Sequence, residues 1–357
     1  MKADRIVFAV ALVMSQVSAD ALSAQRGRVV TDTVRSPSLA NLLGAPAETR
    51  VLVYLPPSYG AAPQKRYPVI YLLHGAGVSA TAWLHSKSGG PVVDGIMDSL
   101  IATNTVKEMI VVMPNATTRF ISTFYVNSQT TGNWEDFFAT DLVAWTDGRY
   151  RTLAQPESRG IAGHSAGGYG AFYLGMRHGG TVYGAMYPMS ACCSVGFSFQ
   201  DGRDGATWDT VASVNSFAGL AHAGFRVQGT AALSAAFAPD RARPPLFFSL
   251  AEERKDGTWK ANAPVIEEWD AHTPALMVPT YRANLLRMRG IQFDVGTRDE
   301  TVPPTELIAM NAVLSRASIP HAFELFDGTH SDHVLDRLMT SVFPFFSRTL
   351  LFGPAKP

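Results

Sequence analysis

The chain has 357 residues, and its 30 Lys+Arg balance 30 Asp+Glu to give no formal net charge. That excludes a general nucleic-acid binder and a polybasic membrane-surface protein, both of which need a cationic face. Hydrophobic residues make up 46% and charged ones 17%, which is too apolar for a disordered chain and enough for a large core. The two cysteines, Cys192 and Cys193, are adjacent and can build neither a disulfide framework nor a four-ligand zinc site.

The N-terminus has the layout of a secretory signal peptide. Lys2 and Arg5 are followed by an apolar run from Ile6 to Met14, then by small residues with an A-x-A site at Ala19-Asp20-Ala21 and another alanine at Ala24. The run falls well short of the roughly 20 residues that span a bilayer. A signal peptide over 1–24, cut near 21–24, predicts a secreted or periplasmic protein without integral membrane association. The remainder, 25–357, reads as one domain, since single α/β domains routinely pass about 250 residues.

Short apolar runs without polar alternation follow: Val51–Leu55, Val69–Leu73, Ile110–Met113, Arg159–Gly163, Ala185–Met189, Ile291–Val295 and Ala322–Phe326. Such runs suit strands buried on both faces of a mostly parallel sheet. Helical spacing lies between them. Phe138, Leu142 and Trp145 stripe one helix, and a second opens near Tyr169 and runs to Arg177. A third runs from Tyr281 to Met288 with Gly290 as its C-terminal cap, and a fourth carries Leu307, Met310, Leu314 and Ala317 after Pro303-Pro304. Alternating strand and helix predict an α/β fold with a doubly wound sheet.

The stretch 194–279 breaks this rhythm. Glycines, prolines and scattered aromatics, among them Trp208, Phe225 and Trp269, read as an irregular insertion over the sheet edge. A loop of this length serves as a lid or a binding wall, or else holds extra packing helices. Leu246–Leu250 fits either a short strand or a buried turn.

Chemistry concentrates in three places. Gly163-His164-Ser165-Ala166-Gly167 matches G-x-S-x-G, follows an expected strand and opens an expected helix, the context of a nucleophile elbow. The tight turn would project the Ser165 hydroxyl into a cleft, with backbone N–H groups of the helix start facing a developing oxyanion. His164, beside the nucleophile, is a candidate substrate contact. Next, the strand Val69–Leu73 ends in His74-Gly75-Ala76-Gly77, which places a backbone N–H at the carboxyl edge of the sheet, where ligands of open α/β sheets bind. His74 precedes the nucleophile and reads as a structural loop residue. Last, Asp299 and His330 each follow a late strand. The chain order Ser165, Asp299, His330 is that of a Ser-Asp-His triad on this architecture, with His330 as base and Asp299 orienting it. Asp294, Glu300 and His333 are the rivals.

These residues resemble a known family. Leu-Leu-His-Gly-Ala-Gly, Gly-His-Ser-Ala-Gly-Gly-Tyr-Gly-Ala, Asp-Val-Gly-Thr-Arg-Asp-Glu and Phe-Asp-Gly-Thr-His, in this order over roughly 48 to 350, look like the esterase D/antigen 85 branch of the α/β-hydrolases. That branch includes S-formylglutathione hydrolases, enterochelin esterases and feruloyl esterases. The resemblance implies an α/β-hydrolase fold and an acyl-enzyme on Ser165, with Asp299 and His330 completing the triad. It also implies an oxyanion hole from the backbone N–H groups of Ala166 and Ala76. The chain departs from many relatives after the histidine, where Ser331-Asp332-His333-Val334 stands in place of an early tryptophan.

Other features carry less. Trp134, at the head of an expected helix, either stacks on an aromatic acyl group or sugar or belongs to the core. Cys192 and Cys193 read as buried free thiols, with a strained vicinal disulfide as the alternative. Asn115-Ala116-Thr117 is a glycosylation sequon. No spacing suggests a metal or cofactor site. The expectation is a secreted serine carboxylesterase for a small-molecule or carbohydrate-linked ester. An acyltransferase using the same triad, a serine peptidase and a non-catalytic hydrolase scaffold are the alternatives.

Overall fold

Eight strands build the central sheet: β1 (Arg28–Arg35), β2 (Glu48–Leu55), β3 (Val69–Leu73), β4 (Ile110–Pro114), β5 (Arg159–His164), β6 (Ala185–Met189), β7 (Gly290–Gly296) and β8 (Ala322–Phe326). Their spatial order is β1-β2-β4-β3-β5-β6-β7-β8. Pairing is antiparallel from β1 to β2 and from β2 to β4, and parallel from β4 through β8. The computed structural model describes residues 26–86, 89–196 and 205–354; the signal-peptide reading of 1–24 lies outside them.

Both faces of the sheet are covered along β3, β4, β5 and β6, which is why these strands lack polar alternation; the edge strands β1 and β8 are largely not buried. Successive residues point to opposite faces. Tyr71 and Leu73 join one core with Phe172, Leu174, Met277 and Leu307, while Ile70 and Leu72 join another with Ile96, Met97, Phe343 and Phe346. The first core is closed by α2 (Leu142–Arg149), α3 (Ala166–His178), α5 (Pro274–Arg287) and α6 (Pro304–Arg316), the second by α1 (Val93–Ala102) and α7 (Phe343–Thr349). The fold is a doubly wound, mostly parallel α/β sheet.

Three expectations change. First, β1 was not foreseen: RVVTDTVR lies on the sheet edge, with Val34 its one buried residue, so it lacks a long apolar run. Second, the helix expected to stop at Gly290 is α5, which ends at Arg287 and is capped at Met288; Gly290 opens β7 instead. Third, the segment read as irregular, with extra packing helices as the alternative, holds helices Gly205–Ser213, Phe217–His222, α4 (Phe225–Phe237) and Ala263–Ala271, plus a hairpin of Glu252–Lys255 with Thr258–Ala261. Its aromatics are what hold it down, since Trp208 and Trp269 are fully buried. Leu246–Leu250 forms no strand and touches the ladder pattern only through one bridge, Pro239 to Phe248.

Candidate active site

The site lies at the carboxyl ends of β3, β5, β7 and β8. Ser165 occupies the turn between β5 and α3 with φ 59° and ψ −119°, a conformation that non-glycine residues rarely adopt. The turn is pinned where the Ser165 N–H donates to the Met189 carbonyl at 3.0 Å and the Tyr169 N–H donates to the Ser165 carbonyl at 2.9 Å. The glycines two before and two after make the turn possible. A Cβ on Gly163 would lie 2.4 Å from the Gly167 carbonyl oxygen, and one on Gly167 would lie 2.3 Å from that of Leu73. Only hydrogen fits at either place.

The loop after β8 brings His330 onto the nucleophile, with Nε2 3.0 Å from Ser165 Oγ. The loop after β7 brings Asp299 onto the far side of the imidazole, with Oδ2 2.9 Å from Nδ1. The other oxygen of Asp299 accepts the N–H groups of Thr301 at 3.0 Å and Val302 at 2.7 Å. Burial pushes the Asp299 carboxyl up, but the His330 contact and these two N–H donors outweigh it and hold the group below its ordinary range. Such a chain can move a proton from a hydroxyl to an imidazole while a fixed carboxylate stabilises the charge.

Gly75 lies against the elbow: a Cβ there would meet Ser165 Cβ at 3.4 Å. Ala76 follows it, and both line a cleft of about 810 Å³ that contains Ser165 and His330. Trp83, Pro91, Phe225 and Leu335 give that cleft apolar walls. A second, more open groove of about 730 Å³ shares Val78, Ala82 and His85 with it and carries Thr118, Arg119 and Gln228.

The other singled-out residues divide clearly. His74 is a loop tether. Its Nε2 accepts the Ala116 N–H at 2.9 Å, so Nδ1 carries the proton and donates to the Gly75 carbonyl at 2.9 Å. Burial pulls its pKa down to about 4. Trp134 does not reach the cleft. It is buried against Phe137 and Phe138 with Nε1 donating to the Thr131 carbonyl at 2.8 Å, which is the core alternative of its two readings and sets aside the substrate contact. His164 lines the cleft, but its Nε2 bonds to the His330 carbonyl at 2.8 Å, a contact that no sequence pattern signals. Of the rivals, Asp294 contacts Tyr187 and Arg337, Glu300 accepts the His330 N–H at 3.2 Å, and His333 pairs with Asp336 at the surface. Cys192 and Cys193 are buried free thiols. Among the described residues, no group of three or more His, Cys, Asp or Glu is placed to hold a metal ion, and no helix is long and apolar enough to cross a membrane.

Comparisons with known proteins bear on the family and the fold. Residues 45–340 match the family model described as "Putative esterase". An endo-1,4-beta-xylanase/feruloyl esterase of Xylanibacter ruminicola is 37% identical over 120 residues, 32% of this chain and 16% of that protein. An esterase of Mycobacterium tuberculosis is 32% identical over 134 residues, 36% of this chain and 26% of that protein. This chain therefore aligns with only a small part of each. Among solved structures, a ferulic acid esterase superposes with a TM-score of 0.61 at 24% identity, covering 92% of this chain and 99% of the other. The fluorophosphonate-binding serine hydrolase F of Staphylococcus aureus superposes with a TM-score of 0.59 at 16% identity, covering 90% and 99%. With a family match over most of its length, the chain belongs to the family described as putative esterases, and its fold is that of the α/β-hydrolase structures on which it superposes.

Proposed function

We propose that the protein is an exported carboxylesterase that works through an acyl-enzyme on Ser165. The observation that carries this reading is the unbroken chain of contacts from Ser165 Oγ through His330 to Asp299, at 3.0 Å and 2.9 Å. His330 Nε2 takes the hydroxyl proton as Oγ attacks the ester carbonyl. The tetrahedral oxyanion is held by the N–H groups of Ala166 and Ala76; losing one such donor typically costs about 3 kcal/mol of transition-state stabilisation. Collapse expels the alcohol, which leaves with the proton from His330, and water repeats the sequence to release the acid.

The substrate we favour is an aromatic acyl group esterified to a carbohydrate. The apolar walls of the inner cleft suit a flat aromatic ring, and the hydroxyl, amide and guanidinium groups of the adjoining groove suit a glycan. The xylanase/feruloyl esterase and the ferulic acid esterase among the similar proteins point the same way. A panel of acetyl, butyryl, octanoyl and feruloyl esters tests it. Feruloyl esters should give the highest kcat/KM, and Ser165→Ala should abolish turnover of all of them with the fold intact. A preference for octanoyl esters would remove the aromatic assignment, and retained turnover in Ser165→Ala would remove Ser165 from the mechanism.

A further inference from the structure

The base of the proposed triad sits on a loop, and its peptide is gripped from both sides by neighbours of the other two members. The residue before Ser165 is His164, whose Nε2 lies 2.8 Å from the His330 carbonyl oxygen. The residue after Asp299 is Glu300, whose Oε2 accepts the His330 N–H at 3.2 Å. The two imidazoles also pack together, with centroids 4.7 Å apart and planes inclined at 42°.

A carbonyl can only accept, so His164 must present Nε2–H, and in the neutral ring Nδ1 is then unprotonated. Burial and the neighbouring His330 pull the pKa of His164 down to about 3, so it stays neutral and adds no cation beside a base that must itself become charged. The need for such a grip follows from the loop. Between the end of β8 at Phe326 and the four-residue helix Val334–Arg337, the chain turns through Gly328 and Thr329 without sheet pairing. Asp299 alone cannot fix the ring. One hydrogen bond to Nδ1 does not fix the Cα, and the loop's other ties, the Arg298 N–H to the Gly328 carbonyl at 2.9 Å and the Thr329 N–H to Asp332 Oδ1, hold the residues before His330 rather than its own peptide.

We propose that His164 and Glu300 are positioning residues that clamp the His330 peptide at its carbonyl and its N–H, so that each of the other two triad members is tied to the base through the residue beside it in sequence. The inference rests on the acyl-enzyme reading. It gives the x position before the nucleophile a role in this chain that is not a substrate contact.

The test compares His164→Ala, His164→Gln, His164→Asn and Glu300→Ala with the wild type on p-nitrophenyl acetate, alongside the rate of labelling by a fluorophosphonate probe. His164→Ala should lower kcat about 10- to 100-fold with little change in KM, because a misplacement of about 1 Å can cost that much. The amide nitrogen of Gln reaches the place of Nε2 and should restore most of the loss, whereas that of Asn falls short and should not. Glu300→Ala, at an exposed side chain whose truncation spares the core, should lower kcat about five-fold, the worth of one modest hydrogen bond. Labelling rates should fall in parallel.

The clamp is overturned if folded His164→Ala keeps kcat within about two-fold of wild type, or if Asn restores as well as Gln. Should His164→Ala fail to fold, Glu300→Ala decides alone, and an unchanged kcat there overturns the clamp. Wild-type protein that takes no label at Ser165 would instead remove the reading on which the clamp rests.

Discussion

Replacing Asp299 by Asn tests the proton path at one atom. Asp299 uses both oxygens, one on His330 Nδ1 at 2.9 Å and the other on the N–H groups of Thr301 and Val302 at 3.0 and 2.7 Å. An Asn in the same rotamer must keep its carbonyl oxygen on those two donors, since an NH2 group there would face them donor to donor. Its NH2 then faces Nδ1, which has to become an acceptor, and the ring proton moves to Nε2. A protonated Nε2, 3.0 Å from Ser165 Oγ, cannot take the hydroxyl proton. The expected loss is on the order of 10⁴-fold in kcat, the size of the same exchange in a serine protease. At about 1.4 kcal/mol per tenfold, that is roughly 5.5 kcal/mol of transition-state stabilisation. The assay is kcat and kcat/KM on a p-nitrophenyl ester, with circular dichroism as the check on folding. A loss below about tenfold in folded protein would refute the tautomer argument. If Glu300→Gln proves the more damaging exchange, the acid has been assigned one residue too early.

Gly163→Ala and Gly167→Ala should each cost at least about 1–3 kcal/mol in urea denaturation and most of the activity, because the added methyl meets backbone rather than a movable side chain. Wild-type stability in either would contradict the tight elbow. His74 has its folded pKa pulled down to about 4 while the unfolded value is near 6.5, so between those values the unfolded chain binds the extra proton and acid favours unfolding. That penalty is absent above pH about 6.5 and grows to at most about 3 kcal/mol near pH 4; His74→Gln should flatten the fall of the urea midpoint over this window, and an unchanged slope would exclude His74 as its source. Burial of both thiols, with that of Cys193 pushed well up, predicts no reaction with a thiol reagent until the chain is unfolded, when two thiols should titrate. Fast reaction of native protein would contradict it.

The sheet interior was legible because strands buried on both faces announce themselves as unbroken apolar runs. Val69–Leu73 and Ala185–Met189, buried throughout, have the predicted limits; so does Ala322–Phe326, an edge strand with no fully buried residue, which was legible from its apolar letters alone. The edge strand β1 was not legible, because an exposed edge does not require an apolar run and RVVTDTVR is interrupted by Thr31, Asp32 and Thr33. The helices of the insertion were obscured for a related reason. Their buried positions are filled in part by small residues, as in α4 with Ala231, Ala232, Ala235 and Ala236, which leave little contrast between faces. Within the site, the elbow and the order of Ser165, Asp299 and His330 could be read because each follows a strand end. What periodicity could not supply was contact across the fold. The His164 and Glu300 contacts with the His330 peptide are of that kind. So is the ion pair of Asp294 with Arg337, which joins β7 to the helix after His330. Trp134 left two readings open, since an aromatic at a helix start looks the same whether it faces a cleft or the core.

The most direct test of the whole account is to treat the purified protein with a fluorophosphonate probe and locate the adduct by peptide mass spectrometry. The account predicts a single adduct on Ser165, absent in Ser165→Ala and much slower to form in Asp299→Asn. An adduct on another residue, or folded protein that takes no label, would contradict it.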